Sequence, residues 1–238
     1  MPSPERLREL AAAPDPRAGI TRLFFPSPGD EGITDLLLIR HAQIEATTLS
    51  DDVHLTELGR EQSEVLARYL SHERLDALYA SPTSRARETA EAISRLSGLP
   101  IQPVPGLRDI EQLKPIDRPL FEVLAEEHGA DEVPKVLERM QDERTFDAMG
   151  PFLEPGASFS ARVTATLDGI IERHPGGRVA VVTHAPVIAA YVARILKSGQ
   201  DFPFNPRLTS ITRILVRDGR HTVDCVNTRP HFEPGPGA

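Results

Sequence analysis

A single cysteine, Cys225, stands in a chain of 238 residues. One thiol cannot close a disulfide within the chain, so a reducing, cytoplasmic setting is the expectation. Cys225 falls in a strand-like stretch, where a thiol packs as a small apolar group rather than serving as a nucleophile. Long apolar runs are also lacking. None approaches the roughly 20 residues that span a bilayer, and Met1-Pro2-Ser3-Pro4-Glu5-Arg6 lacks the apolar centre of a secretory leader. Basic residues are outnumbered, 27 Lys and Arg against 35 Asp and Glu, for a net charge of −8. Such a surface argues against nucleic acid or anionic membrane as a partner. A local arginine cluster can still override the global field and take a phosphorylated small molecule. No internal repeat or low-complexity tract occurs. No clustered His, Cys and Asp spacing suggests a metal, and neither metal nor cofactor is expected.

What is present is the composition of one large α/β domain, 39% apolar and 26% charged. Leu36-Leu37-Leu38-Ile39 runs straight into Arg40-His41. A short unbroken apolar run reads as a strand buried on both faces of a parallel sheet. In such sheets chemistry sits beyond the carboxyl ends of the strands. Thr56 reads as the N-cap of a helix running to about Ser71, with Leu58, Val65, Leu66, Tyr69 and Leu70 on one face. Gly59 in its first turn costs roughly 1 kcal/mol relative to alanine, which suggests that another backbone passes close by. Ala77 to Ala80 is a second strand. Ser81-Pro82 reads as an N-cap and first helical residue, opening a helix that Gly98 closes. Arg85 lies in its first turn, where the helix dipole favours carboxylates; a local rule broken this way points to function. Arg87 reads as a solvated neighbour.

Ile101 to Val104 is an edge strand, its proline excluding a central position. Gly106 to Gln112 is a turn carrying Asp109 and Glu111, and a charged helical excursion follows. Phe159, Val163, Leu167, Ile170 and Ile171 share a helix face. Val179 to Thr183 then repeats the opening theme, an aliphatic strand delivering His184. Ile211 to Val226 reads as a hairpin about Asp218-Gly219-Arg220. Either histidine alone could be an ordinary rim residue. Two of them with two arginines, all at strand ends, suit a phosphate: guanidinium forks bind its oxygens and an imidazole can attack phosphorus. Nearby cations would hold that imidazole neutral.

Four stretches carry a resemblance: Leu37 to Ala42, Leu55 to Gln62, Ser81 to Ala90, and Val182-Thr183-His184-Ala185. In this order and spacing they resemble the histidine phosphatase superfamily, also called the phosphoglycerate mutase-like family, in its phosphatase branch. The resemblance implies a three-layer α/β/α sandwich with a mostly parallel sheet and a helical insertion over the active site. It implies a histidine phosphatase domain over residues 34–228 with the insertion at 113–155, a 1–33 extension and a flexible 229–238 tail; a homodimer is possible. It implies that His41 is the phosphoryl-accepting nucleophile, that Arg40, Arg85 and His184 bind the phosphate, and that Gln43 and the backbone of Ala185 contribute to substrate binding. Asp109 would be the proton donor, with Glu111 as the alternative. Ala42, Ala185 and Gln43 depart from the family's usual glycines and glutamate. The implied activity is hydrolysis of a phosphomonoester. A mutase-like phosphotransferase and a phosphate-binding pseudoenzyme are the alternatives; the latter would be favoured if neither carboxylate reached the pocket.

Overall fold

The computed structural model describes residues 26–45, 53–111, 120–148 and 154–232; the helix expected over residues 4–13 lies outside them. Among these residues the strands are β1 (Thr34–Arg40), β2 (Ala77–Ala80), β3 (Ile101–Pro103), β4 (Arg178–Thr183), β5 (Ile211–Arg217) and β6 (Arg220–Thr228). The helices are α1 (Glu57–Leu70), α2 (Ser84–Ser97), α3 (Leu120–His128), α4 (Val133–Glu143), α5 (Gly156–Glu172) and α6 (Ala185–Leu196). One six-stranded sheet has the order β3-β2-β4-β1-β5-β6. The first four in that order run parallel; β5 is antiparallel to β1, and β6 to β5. Asp218 and Gly219, both at positive φ, make the β5–β6 turn.

The central strands are apolar on both faces because each face meets helices. Leu36, Leu38, Val179 and Val181 pack with Phe159, Val163 and Leu167 of α5 and Ile188 and Tyr191 of α6. Leu37, Ile39, Ala180 and Val182 pack with Leu66 and Leu70 of α1 and Ala90 and Ile93 of α2. Each buried aliphatic side chain contributes roughly 1.5–3 kcal/mol, so this three-layer stack makes β1 the strand most costly to disturb. No helix among the described residues is long and apolar enough to cross a membrane.

Several details differ from the sequence expectation. Leu58 is 50% exposed; the inward face of α1 is Gly59, Ser63, Leu66, Ala67 and Leu70. Small residues lead that face because the helix start sits against the backbone of Gln43: a Cβ on Gly59 would stand 2.1 Å from the Gln43 carbonyl oxygen. The helix after β2 begins at Ser84 behind Thr83, and Ser81 does not cap it. Cys225 is half-buried in β6. Pro230–Phe232, at the head of the expected flexible tail, forms a 3₁₀ turn; residues 233–238 lie outside the described residues.

The excursion between β3 and α5 builds α3 and α4 around a small core of its own, Leu124, Val133 and Val136. Gly129 turns between them at φ +87°, and Pro134 occupies the first turn of α4, where its missing N–H has no intrahelical role. The segment leaves and returns at a backbone hydrogen bond from Glu154 N to Glu111 O, 2.9 Å. Phe146 returns the chain to the main core, stacking edge-on to Phe159 at 4.9 Å.

Candidate active site

Strand register builds the site. Arg40 pairs with Thr183 across β1 and β4, and Ala80 pairs with Val182 across β2 and β4. The residue after each strand therefore emerges at the same edge. His41 and His184 stand side by side there, ring centroids 5.3 Å apart, with Ser81 beside them. His41 is 5% exposed, Arg85 2% and His184 0%.

His41 is oriented by its own backbone. Its Nδ1 lies 2.8 Å from the carbonyl oxygen of Ala42. A carbonyl only accepts, so Nδ1 carries the proton and the lone pair is left on Nε2. Burial is the largest influence holding His41 below the ordinary imidazole range, to about 3; the neighbouring His184 ring, which would repel a second protonated imidazole, and the charges of Arg85 and Arg40 act in the same direction. The sequence expectation named the cations; desolvation outweighs them. His184 is held well below its ordinary value, again by burial first, then by Arg85, Arg40, Arg162 and Arg108. Both rings are neutral at pH 7.

The stretch from Ser81 to Thr89 spends its polar groups on this site. Ser81 Oγ lies 2.9 Å and Thr83 Oγ1 3.4 Å from His184 Nε2. That is why Ser81 is no N-cap: its hydroxyl serves a histidine instead of a helix end. Arg85 donates to Asp109 Oδ2 at 3.2 Å. Glu88 holds the ring of His54 and accepts from Leu55 N at 3.2 Å. Thr89 Oγ1 accepts from Ala42 N at 3.0 Å and donates to Arg85 O at 2.8 Å. Arg87 is exposed, as expected.

Arg40 is tied from the other side. Its Nη1 donates to Pro206 O at 2.6 Å and its backbone N–H to Ser210 O at 3.2 Å. Thr209, buried and β-branched, sits at φ +56° and directs its N–H to Arg40 O at 3.1 Å and His41 O at 3.4 Å. Its hydroxyl oxygen lies 3.1 Å from His231 Nε2. Burial, followed by Arg229, lowers His231 to about 4.

Of the two carboxylates, Asp109 reaches the site. Its Oδ2 contacts Arg85 and stands 3.4 Å from His184 Nδ1. Glu111 is exposed, and its backbone N–H donates to Glu154 Oε1 at 3.1 Å. Gln43 accepts from Thr56 Oγ1 at 2.8 Å and its backbone accepts from Thr56 N; these bonds secure the start of α1. Ala185 opens α6 behind the N-cap His184, so its N–H is among those a helix leaves without an internal acceptor. Ser81, Thr83, Thr209 and Arg162 were not singled out as site residues by sequence. Ser81 and Thr83 carried a signal, two hydroxyls two residues apart at a strand end, but it was absorbed by the capping reading. Among the described residues no group of three or more His, Cys, Asp and Glu side chains is placed to hold a metal ion.

Two buried nitrogens of the site, Arg40 Nε and His184 Nδ1, make no hydrogen bond to the described protein. Neutral imidazoles beside guanidinium groups, with unmatched buried nitrogens, make a pocket for a tetrahedral oxyanion. The comparisons name the class. The model of the histidine phosphatase superfamily (branch 1) matches residues 36–229, and the chain belongs to that family and is a phosphatase. It is 32% identical over 165 residues to phosphoserine phosphatase 1 of Hydrogenobacter thermophilus, covering 66% of this chain and 74% of that one. It is 27% identical over 180 residues to a metal-independent phosphoserine phosphatase of Arabidopsis thaliana, 70% of each chain. Among solved structures it is similar to YhfR of Bacillus stearothermophilus, with 26% identity, a TM-score of 0.71, and coverage of 84% of this chain and all of that one.

Proposed function

We propose that the chain hydrolyses small phosphomonoesters without a metal, through a phosphoryl group carried on His41. Arg40, Arg85, His184 and the N–H of Ala185 hold the phosphate oxygens. Nε2 of His41 attacks phosphorus as the bond to the ester oxygen breaks, and Asp109 delivers a proton to that oxygen. The Asp109 carboxylate then takes a proton from a water that attacks the phosphohistidine, releasing inorganic phosphate and restoring both groups. The observation that carries the reading is the His41 ring, its Nδ1 held on the Ala42 carbonyl, beside His184 with the buried Arg85 and the half-buried Arg40. The position of Asp109 against Arg85 and His184 weighs against a pseudoenzyme. The curated relatives make O-phosphoserine the first substrate to try. The single cysteine favours a reducing compartment.

The first experiment is p-nitrophenyl phosphate hydrolysis in excess EDTA. The expected outcome is EDTA-resistant turnover, inhibition by vanadate, and loss of turnover in His41→Ala by at least about a thousandfold. Chelator-sensitive activity, or an active His41→Ala, would overturn the mechanism. Phosphate moved between positions rather than released would indicate the mutase.

A further inference from the structure

We infer that Arg162 is a positioning residue for the proton donor: its guanidinium grips the backbone around Asp109 and so fixes the reach of that carboxyl to the leaving oxygen. The inference rests on Asp109 being the donor. Arg162 extends from α5 toward the turn at residues 105–111. Its Nη1 donates to the carbonyl oxygens of Gly106 and Arg108, 3.0 Å each. Its Nη2 donates to the carbonyl oxygen of Asp109 at 3.3 Å and to the Glu154 carboxylate. One side chain therefore satisfies three carbonyls within four residues, the last belonging to Asp109 itself. Only a planar fork with five donors can do this; an ammonium group cannot reach all of them in one geometry.

The fork is itself held. Its guanidinium carbon lies 5.0 Å from the centre of the Phe159 ring. Glu154, its carboxylate partner, also accepts from Glu111 N at 3.1 Å, so the far side of the turn is anchored to the same pair. The near side seats on α5 through Gly106, where a Cβ would stand 2.0 Å from Thr166 Oγ1. Asp109 belongs to no helix or strand, so no ladder of backbone bonds sets its position. An aspartate is also short, and a displacement of its backbone passes undamped to its oxygens. Misplacing a reacting group by 1 Å can cost on the order of a hundredfold in rate.

The readout that separates positioning from general stability is the leaving group. Hydrolysis of 2,4-dinitrophenyl phosphate expels a phenolate that needs no proton, whereas O-phosphoserine expels an alkoxide that does. The full-length chain and its variants are compared by kcat/KM on both esters. Asp109→Asn sets the reference and should lose O-phosphoserine turnover about a hundredfold more than dinitrophenyl phosphate turnover. Arg162→Lys, which keeps charge and stem, should show the same selectivity at about tenfold or more, and Arg162→Met at least as much. The double variant Asp109→Asn/Arg162→Lys should be no more selective than Asp109→Asn alone. If Asp109→Asn is selective but Arg162→Lys lowers both esters equally, or neither, the inference is overturned while the donor stands. If Asp109→Asn shows no selectivity, the donor assignment itself has failed. Should Arg162→Met not fold, Arg162→Lys decides by the same ratio.

Discussion

His184 has two hydroxyls beside one nitrogen of its buried ring. With Ser81 Oγ at 2.9 Å from Nε2, a donated Ser81 proton leaves Nδ1 protonated on the side of Asp109 and available to an oxyanion. Ser81→Ala removes the nearer of two hydroxyls, leaving Thr83 at 3.4 Å. The expected result is a fall in kcat of about tenfold and a stability loss of about 1–2 kcal/mol, read by steady-state kinetics and urea unfolding. The strand-end residues Arg40, His41 and His184 were legible because a buried strand keeps its polar groups to its ends, and the carboxyl end is where a parallel sheet places chemistry. Thr209 was not legible: its contribution is a backbone N–H at a left-handed φ, and that leaves no mark on residue type. Arg162 was hidden for the same reason, since its three loop acceptors are main-chain carbonyls.

At the scale of elements, α1 tests whether helix propensity or packing governs. Propensity favours alanine over Gly59 by about 1 kcal/mol. Packing opposes it, because the added Cβ would stand 2.1 Å from the Gln43 carbonyl oxygen, and that oxygen already accepts from Thr56 N. Backbone on both sides leaves no flexible atom to yield. Gly59→Ala should therefore destabilise the protein by about 1–3 kcal/mol, measured as a lowered urea midpoint at unchanged slope. A stabilised variant would show that the loop moves freely. The cost of this glycine was visible in the sequence and correctly implied a close backbone; which backbone was not, because Gln43 is distant along the chain and nothing in its residue type marks the contact. Periodicity likewise placed the inward face of α5 correctly yet put Leu58 inside. An apolar side chain signals burial only where space exists, and close approach reserves that space for Gly59 and Ser63.

For the molecule as a whole, buried neutral histidines couple stability to acid. His41 is held to about 3 and His231 to about 4, each chiefly by burial, and His184 well below its usual value. Unfolded, these rings take up protons near pH 6.5; folded, they do not. The unfolded chain thus binds more protons below that pH, and stability falls with falling pH. Their contribution is complete above about pH 6.5 and is lost through the window down to the folded values of about 4 and 3. Thermal midpoints measured from pH 7.5 to 4.5 should decline, and His231→Gln should decline less steeply. A pH-independent midpoint would contradict buried neutral rings.

The separate core of α3 and α4, closed at its base by the Glu111–Glu154 bond, gives the excursion the character of an interchangeable cassette. A core held apart from those of the sheet can change its own side chains while the packing that carries His41 and His184 stays as it is. Exchange of the segment between those two glutamates leaves the register of β1 and β4, and with it the spacing of the two histidines, untouched.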